Sequence, residues 1–423
     1  MKNWTYFCLI LVVFFGKQLK LKAQSNDKIP MLEINGFVRN FTGLSIKTGD
    51  YSILQNTLDL KLKHQSEKVS FYANPYVYQY SDSENTFDLR EMYIDFFSDK
   101  LDIRIGKQQI IWGQADGVFI TDIISPKDLT EFLLRDFNEI RQGVTAVKLN
   151  YYHKDDHSFE FVFIPTFSST ILPKSDSPWR PKMSFPIQPT FNYSEQEVSK
   201  SLKNSEMFMR YSISKSAYDL QFMGGYSWDD DPSMHFSKTF ELNSETGEPQ
   251  LTALEITPKH HRLALTGMSF NTDVNGVIVR GEAALYFNKY FQTSNSSVKD
   301  GLTKKNYLNY VIGLDKNFGD WKISTQFIQK SIFNHNQHLS EEKIDNLATF
   351  MVSRTLMREK IRLEAFSYVG FTNKDAYIRL RGYYYPIDGI SLEVGTNIFL
   401  GTKGQFGQFN ENDMIFSRLK YSF

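Results

Sequence analysis

The sequence predicts an all-β protein, a transmembrane antiparallel barrel of about 18 strands. Three observations predict it. Apolar and charged residues alternate in segment after segment. Short turns and long loops take turns along the chain. The last residues, Leu419-Lys420-Tyr421-Ser422-Phe423, alternate up to a terminal aromatic, which resembles the assembly signal of outer-membrane barrels. Aromatics make up 15% of the chain, with 36 Phe and 23 Tyr, a load that suits a lipid-facing wall.

The chain begins with Lys2, an apolar run from Trp4 to Gly16, and Leu21-Lys22-Ala23 before Gln24. This reads as a signal peptide over 1–23, because the apolar run is shorter than the ~20 residues a spanning helix needs. The barrel is expected over 24–423. The single cysteine, Cys8, lies in the leader, so the barrel has no thiol for disulfides or metal. Removing the four leader lysines leaves 44 basic and 48 acidic residues, a net charge of −4 that gives no footprint for nucleic acid.

Strands are expected near 32–45, 52–64, 68–80, 87–98, 100–110, 144–153, 157–167, 206–215, 217–228, 260–271, 276–290, 306–317, 320–333, 346–357, 360–371, 376–385, 390–400 and 413–423. A count of 16 survives if one weak pair is misread. In the second, Leu54, Leu58, Leu60 and Leu62 share one parity, and Gln55, Thr57, Asp59, Lys61 and Lys63 the other. A period of two sends these sets to opposite faces. In a barrel the first set meets lipid and the second lines the lumen. Leu101, Ile103 and Ile105 alternate likewise with Asp102 and Arg104, and Ile378 and Leu380 with Arg379 and Arg381. A soluble sheet would have to bury these charges or leave its apolar face wet. The eight short turns fall on one end and the long loops 110–143, 168–205, 229–259, 291–305 and 334–345 on the other, as for periplasmic turns and extracellular loops.

The insert 110–143 is too long and too apolar to hang free. Ser125-Pro126 reads as a helix start, with Ser125 capping and Pro126 at the first helical position. Leu129, Phe132 and Leu133 would share one face. Folding the insert into the lumen would bury that face and narrow the pore; a lid outside is the alternative. Glu91, Arg104, Asp128 and Arg135 are the expected constriction residues. Arg280, Glu282, Arg362, Arg379, Arg381 and Arg418 are the expected pore wall, with a basic bias on the last strands, joined there by Lys420. The Pro-rich segment 173–190 with Trp179 is read as a cover for the pore mouth or a docking surface.

Catalytic signals are weak, and neither an enzyme nor a cofactor is expected. No Ser-centred nucleophile elbow occurs. His335-x-x-His338 lacks an evident third metal ligand, and Asp229-Asp230-Asp231 lacks the Gly and Glu of a calcium loop.

The run Leu89-Arg90-Glu91-Met92-Tyr93-Ile94-Asp95, then Ile103-Arg104-Ile105-Gly106-Lys107-Gln108, Trp112-Gly113, Asp116-Gly117 and Asp122-Ile123-Ile124-Ser125-Pro126-Lys127-Asp128-Leu129, resembles a porin-like outer-membrane barrel family of uncharacterised function. It is similar to the alginate-export and phosphate-selective porin groups in its strand–Gly-Lys-Gln pattern. That family usually has Asn-Pro where this chain has Ser125-Pro126. The specific match covers about 55 residues, and the resemblance implies a pore with a folded-in loop but no substrate. The expected function is therefore an outer-membrane channel for small polar or anionic solutes. The alternative is a non-conducting barrel that serves as scaffold in an envelope assembly. Expected partners are outer-membrane lipid, the solute, and a second copy or an envelope protein.

Overall fold

The computed structural model describes residues 32–81, 85–182, 185–243 and 245–423. The signal peptide expected over 1–23 lies outside the described residues.

Strands are numbered in chain order. The first seven are β1 (Glu33–Ser45), β2 (Tyr51–Gln65), β3 (Val69–Tyr80), β4 (Thr86–Phe96), β5 (Leu101–Gln108), β6 (Val144–Lys154) and β7 (His157–Ile164). Next come β8 (Thr190–Phe191), β9 (Glu206–Ser214), β10 (Tyr218–Trp228), β11 (Ser233–Leu242), β12 (Pro249–Lys259) and β13 (Arg262–Val274). The rest are β14 (Val277–Gln292), β15 (Leu302–Phe318), β16 (Trp321–Ile332), β17 (Ile344–Leu356), β18 (Ile361–Gly370), β19 (Asp375–Tyr384), β20 (Ile390–Leu400) and β21 (Met414–Ser422). Two one-turn helices, α1 (Phe137–Ile140) and α2 (Gly404–Gly407), interrupt the loops.

Eighteen strands form one antiparallel sheet, and β1 pairs with both β2 and β21. The sheet therefore closes and has no free edge, as hydrocarbon demands of a strand-built span. Leu54, Leu58 and Leu60 lie on the outside of β2, while Gln55, Thr57 and Asp59 are buried within. The same division holds on β5, β18, β19 and β21, where Ile105, Leu363, Leu380 and Leu419 are exposed on the outer wall. A closed antiparallel barrel with an apolar outer face and a polar lumen is the build of an outer-membrane protein.

Two sequence expectations fail outside the barrel wall. The segment 229–259, read as a loop, contains the hairpin β11–β12, which joins β8 in a separate three-stranded sheet. Its alternation is masked because Lys238 stands on the parity of Phe236 and Phe240. The helix expected from Ser125 does not form. The Ser125 hydroxyl instead accepts the Ile110 N–H at 2.9 Å. The N–H groups of Asp128 and Leu129 go to the carbonyls of Ile140 and Ile171, so long-range pairing replaces the helical ladder. The only α-helical turn of the insert is α1.

Gly106, in the Gly-Lys-Gln run of β5, has φ +134° and packs against β4. A Cβ there would meet the Met92 carbonyl oxygen and come within 2.7 Å of the Tyr93 Cα. Gly106→Ala is expected to cost on the order of 1–3 kcal/mol in backbone strain alone. The loss would show as a smaller fraction of the compact, heat-modifiable band in gel electrophoresis after refolding.

Candidate functional site: the lumen and its insert

The insert enters the barrel. Its first leg leaves β5 at Gln108, and the Glu91 carboxylate on β4 accepts the Gln109 N–H at 2.8 Å. Asp122 then acts as a hub within the insert. One of its oxygens accepts the N–H groups of Trp112 and Gly113 at 2.9 and 2.8 Å, and the other accepts the Arg141 guanidinium at 2.5 and 2.9 Å. Trp112 is 2% exposed and donates its indole N–H to Glu160 on β7.

Residues 114–121 cross to the far wall. Glu282 of β14 accepts the N–H groups of Gln114, Ala115 and Thr121 and the Thr121 hydroxyl. Arg280, two residues away on the same face, holds the Gln114 carbonyl at 2.7 Å and the Asp116 carboxylate at 2.5 Å. Gln326 of β16 donates to the Asp116 carbonyl, and the Tyr368 hydroxyl of β18 donates to that of Gly117.

The return leg lies against the remaining strands. Arg379 of β19 donates to the Leu133 carbonyl, and Arg418 of β21 to that of Leu134 at 2.6 Å. Glu131 accepts from Gln55 of β2 and Tyr80 of β3, and Arg39 of β1 grips Glu139 at 2.9 and 3.1 Å. Irregular backbone survives at membrane depth only where protein satisfies its polar groups, and the inward side chains of the wall do so here. Phe132, at φ +50°, plugs the space above, ringed by Trp179, Tyr377, Phe399, Phe406 and Phe409. The Pro-rich segment thus seals the insert from the outer side through Trp179.

Below the insert the lumen opens into a chamber of about 680 Å³ on the side of the short turns. Its lining carries Arg39, Lys61, Arg90, Arg104, Arg362, Arg381, Arg418 and Lys420 against Asp59, Glu91, Asp136, Glu139 and Glu393. Most of these charges are paired. Arg104 binds Asp95 at 2.6 Å, Arg418 binds Glu393 at 3.3 Å, and Arg381 lies between Glu364 and Glu393. Lys61, Arg362 and Lys420 form no ion pair with a described residue. Arg362 lies flat on the Tyr383 ring at 4.1 Å and leaves its Nε without an acceptor.

The expected constriction residues divide in two. Glu91 and Arg104 line the chamber. Asp128 and Arg135 belong to the insert, where Arg135 bridges Asp128 at 2.5 Å and Glu131 at 3.0 Å. The expected wall divides too. Arg280, Glu282 and Arg379 hold the insert, Arg362 and Arg381 face the chamber, and Arg418 does both. The basic cluster expected on the last strands therefore offers Arg362 and Lys420 as unpaired charge, and Lys61 joins them from β2. Sequence reasoning placed these groups on the lumen face by parity but had no signal for the backbone groups they serve. The His335 Nε2 is taken up by the Glu341 carbonyl. Asp229 is bound to Lys289 rather than poised for a cation.

Several solved structures share this architecture. Acinetobacter baumannii OccAB3 superposes with a TM-score of 0.53 at 10% identity, over 93% of this chain and 99% of that one. Pseudomonas aeruginosa OccK8 (OprE) gives 0.55 at 8%, over 93% and 97%. Pseudomonas aeruginosa OccK2 (OpdF) in complex with glucuronate gives 0.53 at 7%, over 93% and 97%. At such identities the likeness is one of fold, that of porin-like outer-membrane barrels. No curated protein matches the sequence. The family described as a protein of unknown function (DUF1302) matches over residues 61–350, more than half of the chain, and the chain belongs to that family.

Proposed function

We propose that the protein is an outer-membrane channel for small anionic solutes, with the insert as its constriction. The observation that carries this reading is the chamber below the insert, where Lys61, Arg362 and Lys420 face the lumen without an ion pair to any described carboxylate. Rings of like charge on a pore wall set ion preference. The chamber's 680 Å³ holds a small organic anion with its water. OccK2, a neighbour in fold, was solved with glucuronate, a carboxylate.

The test is the reversal potential of single channels in a planar bilayer under a salt gradient. The wild type should favour anions, and Lys61→Ala/Arg362→Ala/Lys420→Ala should move the reversal potential toward or past zero. Arg381→Ala should matter less, because Glu364 and Glu393 already neutralise that guanidinium. A wild type with no anion preference would sink the reading.

One observation favours the scaffold reading instead. Every barrel strand carries buried residues, and the insert touches walls all round the lumen, from Arg39 to Glu282 to Arg418. A barrel filled in this way and silent both with and without its insert would be a scaffold.

A further inference from the structure

The extracellular rim carries a second arrangement of polar side chains, separate from the lumen. The Nε2 of His235, on β11, faces the Nε2 of His261, just before β13, at 2.8 Å. On the other side of the His235 ring, Nδ1 lies 3.2 Å from a carboxylate oxygen of Asp300, in the β14–β15 loop. The His261 ring lies on that of Tyr290, with centroids 4.0 Å apart.

The tautomers follow from this geometry. An ionised carboxylate only accepts, so the Nδ1 of His235 carries the proton and its Nε2 carries the lone pair. That lone pair points at the Nε2 of His261. Either His261 donates a proton across the gap, or both lone pairs converge on a cation. A carboxylate behind one imidazole, fixing its tautomer and raising its basicity, is the usual outer support of a metal-binding histidine. We infer that His235 and His261 form a site for a divalent transition ion of the zinc, copper and nickel class, with Asp300 as the orienting group.

Two surrounding features agree with this. Of the two nearby lysines, Lys259 is paired with Glu195 at 2.7 Å and Lys304 lies over the Tyr290 ring. His260 points away, onto the Asp229 carbonyl. Among the described residues no cluster of three or more metal-ligating side chains occurs. The site is thus bidentate, completed by water, and the two nitrogens would part to about 3.4 Å at a tetrahedral ion with zinc–nitrogen bonds of about 2.1 Å. An ion held here would tie the base of the β11–β12 hairpin to the barrel rim.

The test titrates zinc chloride into the purified, full-length barrel in detergent at pH 7, followed by calorimetry. Refolding of each variant is checked by heat-modifiable mobility. One saturable site is expected in the wild type and in His335→Ala/His338→Ala, and none in His235→Ala or His261→Ala. Asp300→Asn should weaken binding by about 10- to 100-fold. In the wild type alone, zinc should also slow proteolysis of the hairpin, a readout that needs no variant. Absence of saturable binding in the wild type would overturn the site, as would binding that survives both histidine substitutions. Unchanged affinity in Asp300→Asn would overturn the role given to that carboxylate.

Discussion

Replacing residues 112–139 with a short Gly-Ser link should raise single-channel conductance on the order of tenfold, because a barrel of 16–18 strands without filling encloses a water channel. The barrel itself should survive. Gln108 and Val144 are paired neighbours on β5 and β6, so residues 109–111 and 140–143 with a short link between them bridge the two strands without moving either. The deletion would expose Arg39, Arg280, Glu282, Arg379 and Arg418 to water, where their charges are cheaply solvated. The altered chain should then conduct more and discriminate less among ions. A conductance equal to that of the wild type would mean that the insert does not limit flow.

Glu282→Ala should release the far end of the insert while leaving the wall intact. This one carboxylate accepts three backbone N–H groups and a hydroxyl from residues 114–121. Glu282 is 4% exposed, so the orphaned donors have little water to turn to. The docked state should lose about 3–5 kcal/mol, since each hydrogen bond to a charged group contributes about 1.5–3 kcal/mol and several are lost together. The β14 ladder uses backbone groups and should persist. Limited proteolysis should cut the variant within 114–121 at concentrations that spare the wild type, and Trp112 emission should shift to the red. Glu282→Gln keeps the acceptor oxygen and should fall between the two. Equal resistance of all three proteins would remove Glu282 from its role.

The contrast between wall and insert explains what could be read from the sequence. The strands were legible because the lumen and the lipid impose a strict period of two, as the leucines of β2 show. Side-chain direction in the lumen was legible for the same reason: Arg104, Arg280 and Arg379 fall on the inward parity. Their partners were not. Arg280 meets Asp116 across 164 positions of sequence, and Glu282 meets Thr121 across 161. No local pattern encodes such pairs, so charges that resemble a pore wall turn out to hold backbone. The helix expected at Ser125 failed likewise: its local capping signal was outweighed by pairing with Ile110, Ile140 and Ile171. On the rim, His235 and His261 meet across 26 positions, whereas His335, in the eye-catching His335-x-x-His338 spacing, turns its Nε2 to the Glu341 carbonyl.

The position of the insert can be measured directly, since residues 24–423 contain no native cysteine. Ile120→Cys would place a thiol at a site 2% exposed on the insert's crossing leg, and Lys61→Cys would place one in the open chamber. A membrane-impermeant thiol reagent, applied to the refolded barrel, should label Lys61→Cys readily and leave Ile120→Cys untouched until the protein is unfolded. Equal labelling of the two before unfolding would contradict an insert docked in the lumen.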